Sequence, residues 1–170
     1  MDNFNIEVGA AEEVLIDYSK SVDELIQFFD EKSEKINSGL ETANIEFMML
    51  GYAIDFIMWT KAATGIVLDF EEAVIPAFES ILAAIHKRFS EQQPTREEFD
   101  SMMKKAAGFL CIVIAKNIPC SFISSNLGVG VKINGNHVFV MNRIGRRLQN
   151  GAEDEVVSFY EQLKHIAGIE

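Results

Sequence analysis

Residues 127–141 read LGVGVKINGNHVFVM. Leu127, Val129, Val131 and Ile133 alternate with Gly128, Gly130 and Lys132. A period of two places successive side chains on opposite faces of a strand. Asn134-Gly135-Asn136 then supplies a tight turn, because Asn and Gly tolerate positive φ. His137-Val138-Phe139-Val140-Met141 is the expected return strand, and Ser121 to Ser124 a candidate third strand. Two strands alone are marginal in water, so this small sheet must pack on helices. Gly128-Val129-Gly130 lacks the continuation of a phosphate-binding glycine loop. It reads as a place where a helix or an aromatic ring packs closely on a strand.

Outward from the hairpin the grammar is helical. Upstream, Thr95-Arg96-Glu97-Glu98 is a capping box behind Pro94, and a helix follows through Phe99, Met102, Met103, Ala106, Phe109, Leu110, Val113 and Ile114 to about Asn117. Ile118-Pro119 cannot continue it. Asp69-Phe70-Glu71-Glu72 is a second such box, opening a helix towards Phe89. Pro76 either kinks that helix or sits in the first turn of a new one. A helix from about Glu41 to Ala63 is apolar nearly all round, which marks a central position, and Thr64-Gly65 stops it. The earliest segment spaces Val14, Leu15 and Tyr18 helically, and Ser21-Val22-Asp23-Glu24 starts a fresh helix that ends at Ser38-Gly39. Downstream, Asn142 caps a short helix through Leu148, Asn150-Gly151 ends it, and a final helix holds Val156, Phe159, Tyr160 and Leu163. The fold class is therefore α+β, mostly helical, with a small C-terminal antiparallel hairpin or sheet packed on helices. One domain over 1–170 is expected, with an acidic helical part (1–94) and a part of helix, hairpin and C-terminal helices (95–170).

Charge divides the chain differently. Residues 101–152 carry seven Lys or Arg and no Asp or Glu, whereas the first hundred carry seven basic and twenty-one acidic side chains. The total is −11 and the pI about 4.7. Such polarity means two surfaces that face each other or face different partners. The acidic balance argues against general nucleic-acid binding, since phosphate repels carboxylates. No apolar stretch reaches the roughly twenty residues of a membrane span. The acidic start of the chain does not resemble a secretory leader, so a cytoplasmic protein is expected. Cys111 and Cys120 read as two buried thiols in a reducing compartment.

Sites follow from the same pattern. Arg143, Arg146 and Arg147 share a helix face at helical spacing and, with Lys132 and His137 of the hairpin, form the best binding candidate for carboxylate or phosphate. The alternative is that they neutralise the protein's own acidic helices. Glu46 and Asp55 interrupt the apolar second helix, where an unpaired charge is costly. They read as buried partners of basic residues from the C-terminal half, or as acid/base groups of raised pKa. His86, beside Lys87-Arg88 near a helix end, reads as a favourable charge at the negative end of a helix dipole. His86, His137 and His165 stand apart, and no metal-ligand or nucleophile motif is present, so no catalytic residue, metal or cofactor is expected.

One segment carries a resemblance. Gly108-Phe109-Leu110, the 127–141 hairpin, Arg143 to Asn150, and then Gly151-Ala152-Glu153-Asp154-Glu155 before Phe159-Tyr160 form an ordered series over the last 75 or so residues. This resembles uncharacterised bacterial α+β domains of unknown function. Where their pattern has a small residue and Glu, this chain has Cys111-Ile112. The resemblance implies a fold and no activity. The functional expectation is a non-enzymatic protein-interaction or binding module of the bacterial cytoplasm. One alternative is an immunity protein whose acidic surface meets a basic toxin. Another is a small-ligand binder or enzyme with a pocket between helices and hairpin, lined by Trp59, Tyr52 and the three arginines. A protein partner is expected, and neither membrane nor nucleic acid.

Overall fold

The hairpin forms where the alternation places it, and a turn of two positive-φ residues closes it: Asn134 at φ 46° and Gly135 at φ 80°. The computed structural model describes residues 6–8 and 16–169. Strands β1 (Ile6–Val8), β2 (Ser121–Ser125), β3 (Gly128–Ile133) and β4 (Asn136–Val138) form an antiparallel sheet in that order. Phe122 faces Val131, and Lys132 faces His137. The helices are α1 (Val22–Asn37), α2 (Ile45–Thr64), α3 (Ile75–Glu91), α4 (Arg96–Asn117), α5 (Val140–Asn150) and α6 (Val156–Ala167).

Several boundaries follow from local chemistry. Ser21 and Thr95 each close the expected capping box with Glu24 and Glu98. Helix α2 starts four residues later than expected. Asn44 caps it by accepting the Phe47 N–H at 2.7 Å, while Glu41 is held by Lys32 at 2.8 Å. The box at Asp69 does not form. Its carboxylate accepts the Glu71 N–H at 2.9 Å, a 3₁₀ turn (Glu72–Val74) follows, and α3 begins with Pro76 in its first turn. Proline needs no N–H partner there, so the helix starts afresh rather than kinking. The return strand is also shorter than expected. Val140, Ile144 and Leu148 are fully buried at helical spacing, so α5 takes over from Val140. Asn142 then lies within α5 rather than capping it, and its amide donates to the Leu127 carbonyl. Val14 and Leu15 lie outside the described residues, and Tyr18 sits in the turn before α1.

One continuous core joins both charge regions. Phe56 of α2, Phe78 of α3 and Phe109 of α4 stack around one another with ring centroids 4.9 to 5.5 Å apart, and Phe70 adds to Phe109 at 5.7 Å. Helices α2 and α4 approach closely at Gly108, where a Cβ would stand 2.5 Å from the Tyr52 Cβ. Gly130 is small for a similar reason, because a Cβ there would meet the Val138 carbonyl oxygen at 1.8 Å. The neighbour of Gly130 is thus strand backbone, whereas a Cβ on Gly128 would stand 2.6 Å from Asn142 Oδ1 of α5, so the helix expected to pack closely meets the first of the two glycines. Helix α2 is not covered all round. Met48, Asp55 and Met58 form an exposed stripe along it. No helix among the described residues is long and apolar enough to cross a membrane.

Ion pairs tie the basic and acidic parts together. Lys116 at the end of α4 meets Glu71 at 2.5 Å, Lys164 of α6 meets Glu72 at 2.9 Å, and Arg147 of α5 meets Glu79 of α3.

Candidate functional site

Helix α5 shows first what the arginines do. Arg147 is 2% exposed, and its Nε and Nη2 donate to Glu79 Oε1 at 2.8 and 2.5 Å. Glu79 Oε2 accepts the Val156 N–H at 2.9 Å, at the amino end of α6. One carboxylate of α3 therefore fixes both α5 and α6, where the helix dipole also favours a negative charge. Arg143 lies 4.8 Å over the Phe159 ring, reaches Asp154 at 3.7 Å and donates to the Glu155 carbonyl. Arg146, 53% exposed, stands 3.4 Å from the same Asp154 carboxylate. Asn150, Arg143 and Arg146 hold the Asp154 carboxyl below its usual range. Lys132 and His137 oppose each other across β3 and β4, and each has interactions of its own. The five candidates do not make one open basic patch, since Arg147 is buried and the other two arginines turn to Asp154.

The carboxylates of the second helix separate. Glu46 is half-buried and accepts the Tyr18 hydroxyl, so its partner is a phenol and not a C-terminal cation. Burial pushes its carboxyl above the usual range, while the Tyr18 hydrogen bond pulls it down. Asp55 is exposed on the outer stripe of α2 and lines a shallow groove with Tyr52, Asp100 and Lys104. The expectation that it is a buried charge is thereby corrected: the helix turns that position outward. Burial raises the Cys120 thiol to about 12, with Glu46 adding to it, and raises Cys111 as well. Both stay protonated thiols, which are poor nucleophiles and metal ligands. His86 donates from Nδ1 to the Leu148 carbonyl at 2.8 Å. It therefore serves the carboxyl end of α5 and not that of its own helix. Among the described residues no group of three or more His, Cys, Asp or Glu converges to hold a metal ion.

A cleft lies elsewhere than expected. It runs between the end of α2, α3 and α4, with a volume of about 500 Å³. Ile81, Ile85, Phe89, Trp59, Met102 and Ile66 supply its apolar wall, and Arg88 its charge. Ala77, Ser80 and Ala84 recur along one side of α3 and line the cleft together with Ala63 of α2, so small side chains leave the space. Past Trp59, Arg88, Phe89 and Met102 the same cleft continues into a polar section with Gln92, Gln93, Glu97, Ser101 and Lys105. Trp59 was expected in a pocket and is there. Tyr52 lines the separate shallow groove, and neither the hairpin nor the arginines of α5 take part. The missed signal was the recurrence of small residues in α3 ahead of His86-Lys87-Arg88.

No protein-family model, curated protein or solved structure matches this chain.

Proposed function

We propose that the chain is a non-enzymatic binding module that meets a basic protein through the acidic face of α1. The observation that carries this reading is how the charges are distributed. The arginines of α5 are engaged by Glu79, Asp154 and the Glu155 carbonyl, so they offer little to a partner. Asp23, Glu24, Asp30, Glu31 and Glu34 are exposed along one 16-residue helix, in a chain of net charge −11. A field of one sign accelerates and orients docking of an oppositely charged partner. A toxin-neutralising immunity protein is a narrower form of this reading, supported by the same complementarity toward a basic nuclease.

The test compares the wild type with an Asp23→Asn, Asp30→Asn, Glu31→Gln, Glu34→Gln variant as baits in a bacterial extract. The expected result is a basic partner retained by the wild type at low salt, released as salt rises, and not retained by the variant. Retention of the same partner by both baits contradicts the reading.

A further inference from the structure

We infer that the cleft between α2, α3 and α4 is a binding site for a small amphipathic carboxylate, a single carboxyl group on an apolar tail. Three observations converge on that chemistry. The inner section has an apolar wall of Ile81, Ile85, Phe89, Trp59 and Met102, and its volume of about 500 Å³ falls in the range of small-ligand sites. Among the described residues, the only charged side chain there is Arg88, at the junction with the polar section. Arg88 and Lys105 line that junction and the polar end, and neither forms an ion pair among the described residues.

That last point sets Arg88 apart from the other four arginines. Arg96, Arg143, Arg146 and Arg147 each reach a carboxylate, in a chain where acidic groups outnumber basic ones by twenty-six to fifteen. A guanidinium left without one beside an apolar cleft presents a fork of donors to an incoming anion. The polar end also shows which anion fits. Glu97 and Glu98 line it, and they disfavour a dianionic phosphate head more than a singly charged carboxylate. The tail would lie over Ile81 and Ile85 in the space left by Ala77 and Ala84, with the head at Arg88 and the polar amides of Gln92 and Gln93 nearby. This site is independent of the acidic α1 face, which borders neither section.

Trp59 is the chain's single tryptophan, so its emission reports the cleft directly. The full chain is titrated with decanoate below its micelle concentration, with decanol as the uncharged probe. The expected result is a saturable shift of Trp59 emission by decanoate. In Arg88→Gln the affinity for decanoate falls about tenfold, the loss of a charge-assisted hydrogen bond at a partly exposed site. Decanol binds more weakly than decanoate to the wild type and is indifferent to Arg88→Gln. Ala84→Phe, at an exposed position that leaves the core intact, abolishes binding of both probes. The α1 variant of the preceding section binds decanoate normally, which separates this site from that reading. No saturable shift, equal affinity for decanol, or an unchanged Arg88→Gln overturns the inference. So does a doubled mass with Trp59 emission that depends on protein concentration without ligand, because a second copy then fills the cleft.

Discussion

The corner where α5 meets α6 and the cleft between α2, α3 and α4 both contain arginine, and they use it in opposite ways. At the corner, Glu79 takes Arg147 and the amino end of α6, while Asp154 takes Arg143 and Arg146. In the cleft, Arg88 has no carboxylate among the described residues and an apolar wall beside it. Arginine content alone therefore does not mark a binding site. What distinguishes one is a guanidinium without its own anion set beside an apolar wall. The same distinction holds for carboxylates. Asp154 and Glu155 are held below their usual range by hydrogen bonds and nearby arginines, whereas Glu46 is pushed above it by burial.

The largest expected effect comes from breaking the corner. Glu79→Ala leaves Arg147 buried without its partner and removes the acceptor for Val156, so urea unfolding should show a loss of about 3 kcal/mol or more. A loss below 1 kcal/mol would place Arg147 with the dispensable charges and erase the contrast. Arg143→Ala is milder, because that side chain is partly exposed. Removing its place over Phe159 and its reach to Asp154 should cost about 1 kcal/mol by the same measurement.

A pH series sharpens the comparison of carboxylates. The Glu46 carboxyl titrates higher in the folded state than in the unfolded one, so the folded state holds its proton more tightly. The stability this gives is present below the usual Glu value of about 4.5 and is lost as pH rises through the folded value. Glu46→Gln keeps an acceptor for Tyr18 and lacks that loss. Its Tm relative to wild type should therefore be level near pH 4 and higher by pH 7.5. A gap that closes as pH rises would reverse the sign. Asp154 and Glu155 act oppositely, since their lowered values give stability above the unfolded pKa that is lost on acidification. The smallest effect belongs to the cleft. Arg88→Gln removes an exposed cation without a partner, and thermal melts should move by no more than about 0.5 kcal/mol equivalent.

What could be read from the sequence follows the range of each interaction. The capping boxes at Ser21 and Thr95, the turn at Asn134-Gly135 and the stop at Gly65 depend on residues within about four positions, and each forms as read. Asp69 shows the limit even of local signals, because Glu71 claims its carboxylate first and Pro76 offers a better helix start. Glu46 and Asp55 look alike within one apolar run, yet nine residues along a helix turn one inward and the other to solvent. The α5 arginines were legible as a group with two fates. The choice between them rests partly on Glu79, 68 residues before Arg147 in the chain. The cleft was hardest to see, since it is defined by what Ala77 and Ala84 do not fill.

Arg147 holds the acid-free stretch onto the acidic helices and is not kept for a ligand. A double-mutant cycle on Glu79→Ala and Arg147→Ala, read by urea unfolding at neutral pH, tests it most directly. Mutual dependence gives a coupling energy of at least about 2 kcal/mol, with the double variant little worse than either single one. Losses that simply add, with coupling inside about 0.5 kcal/mol, contradict it.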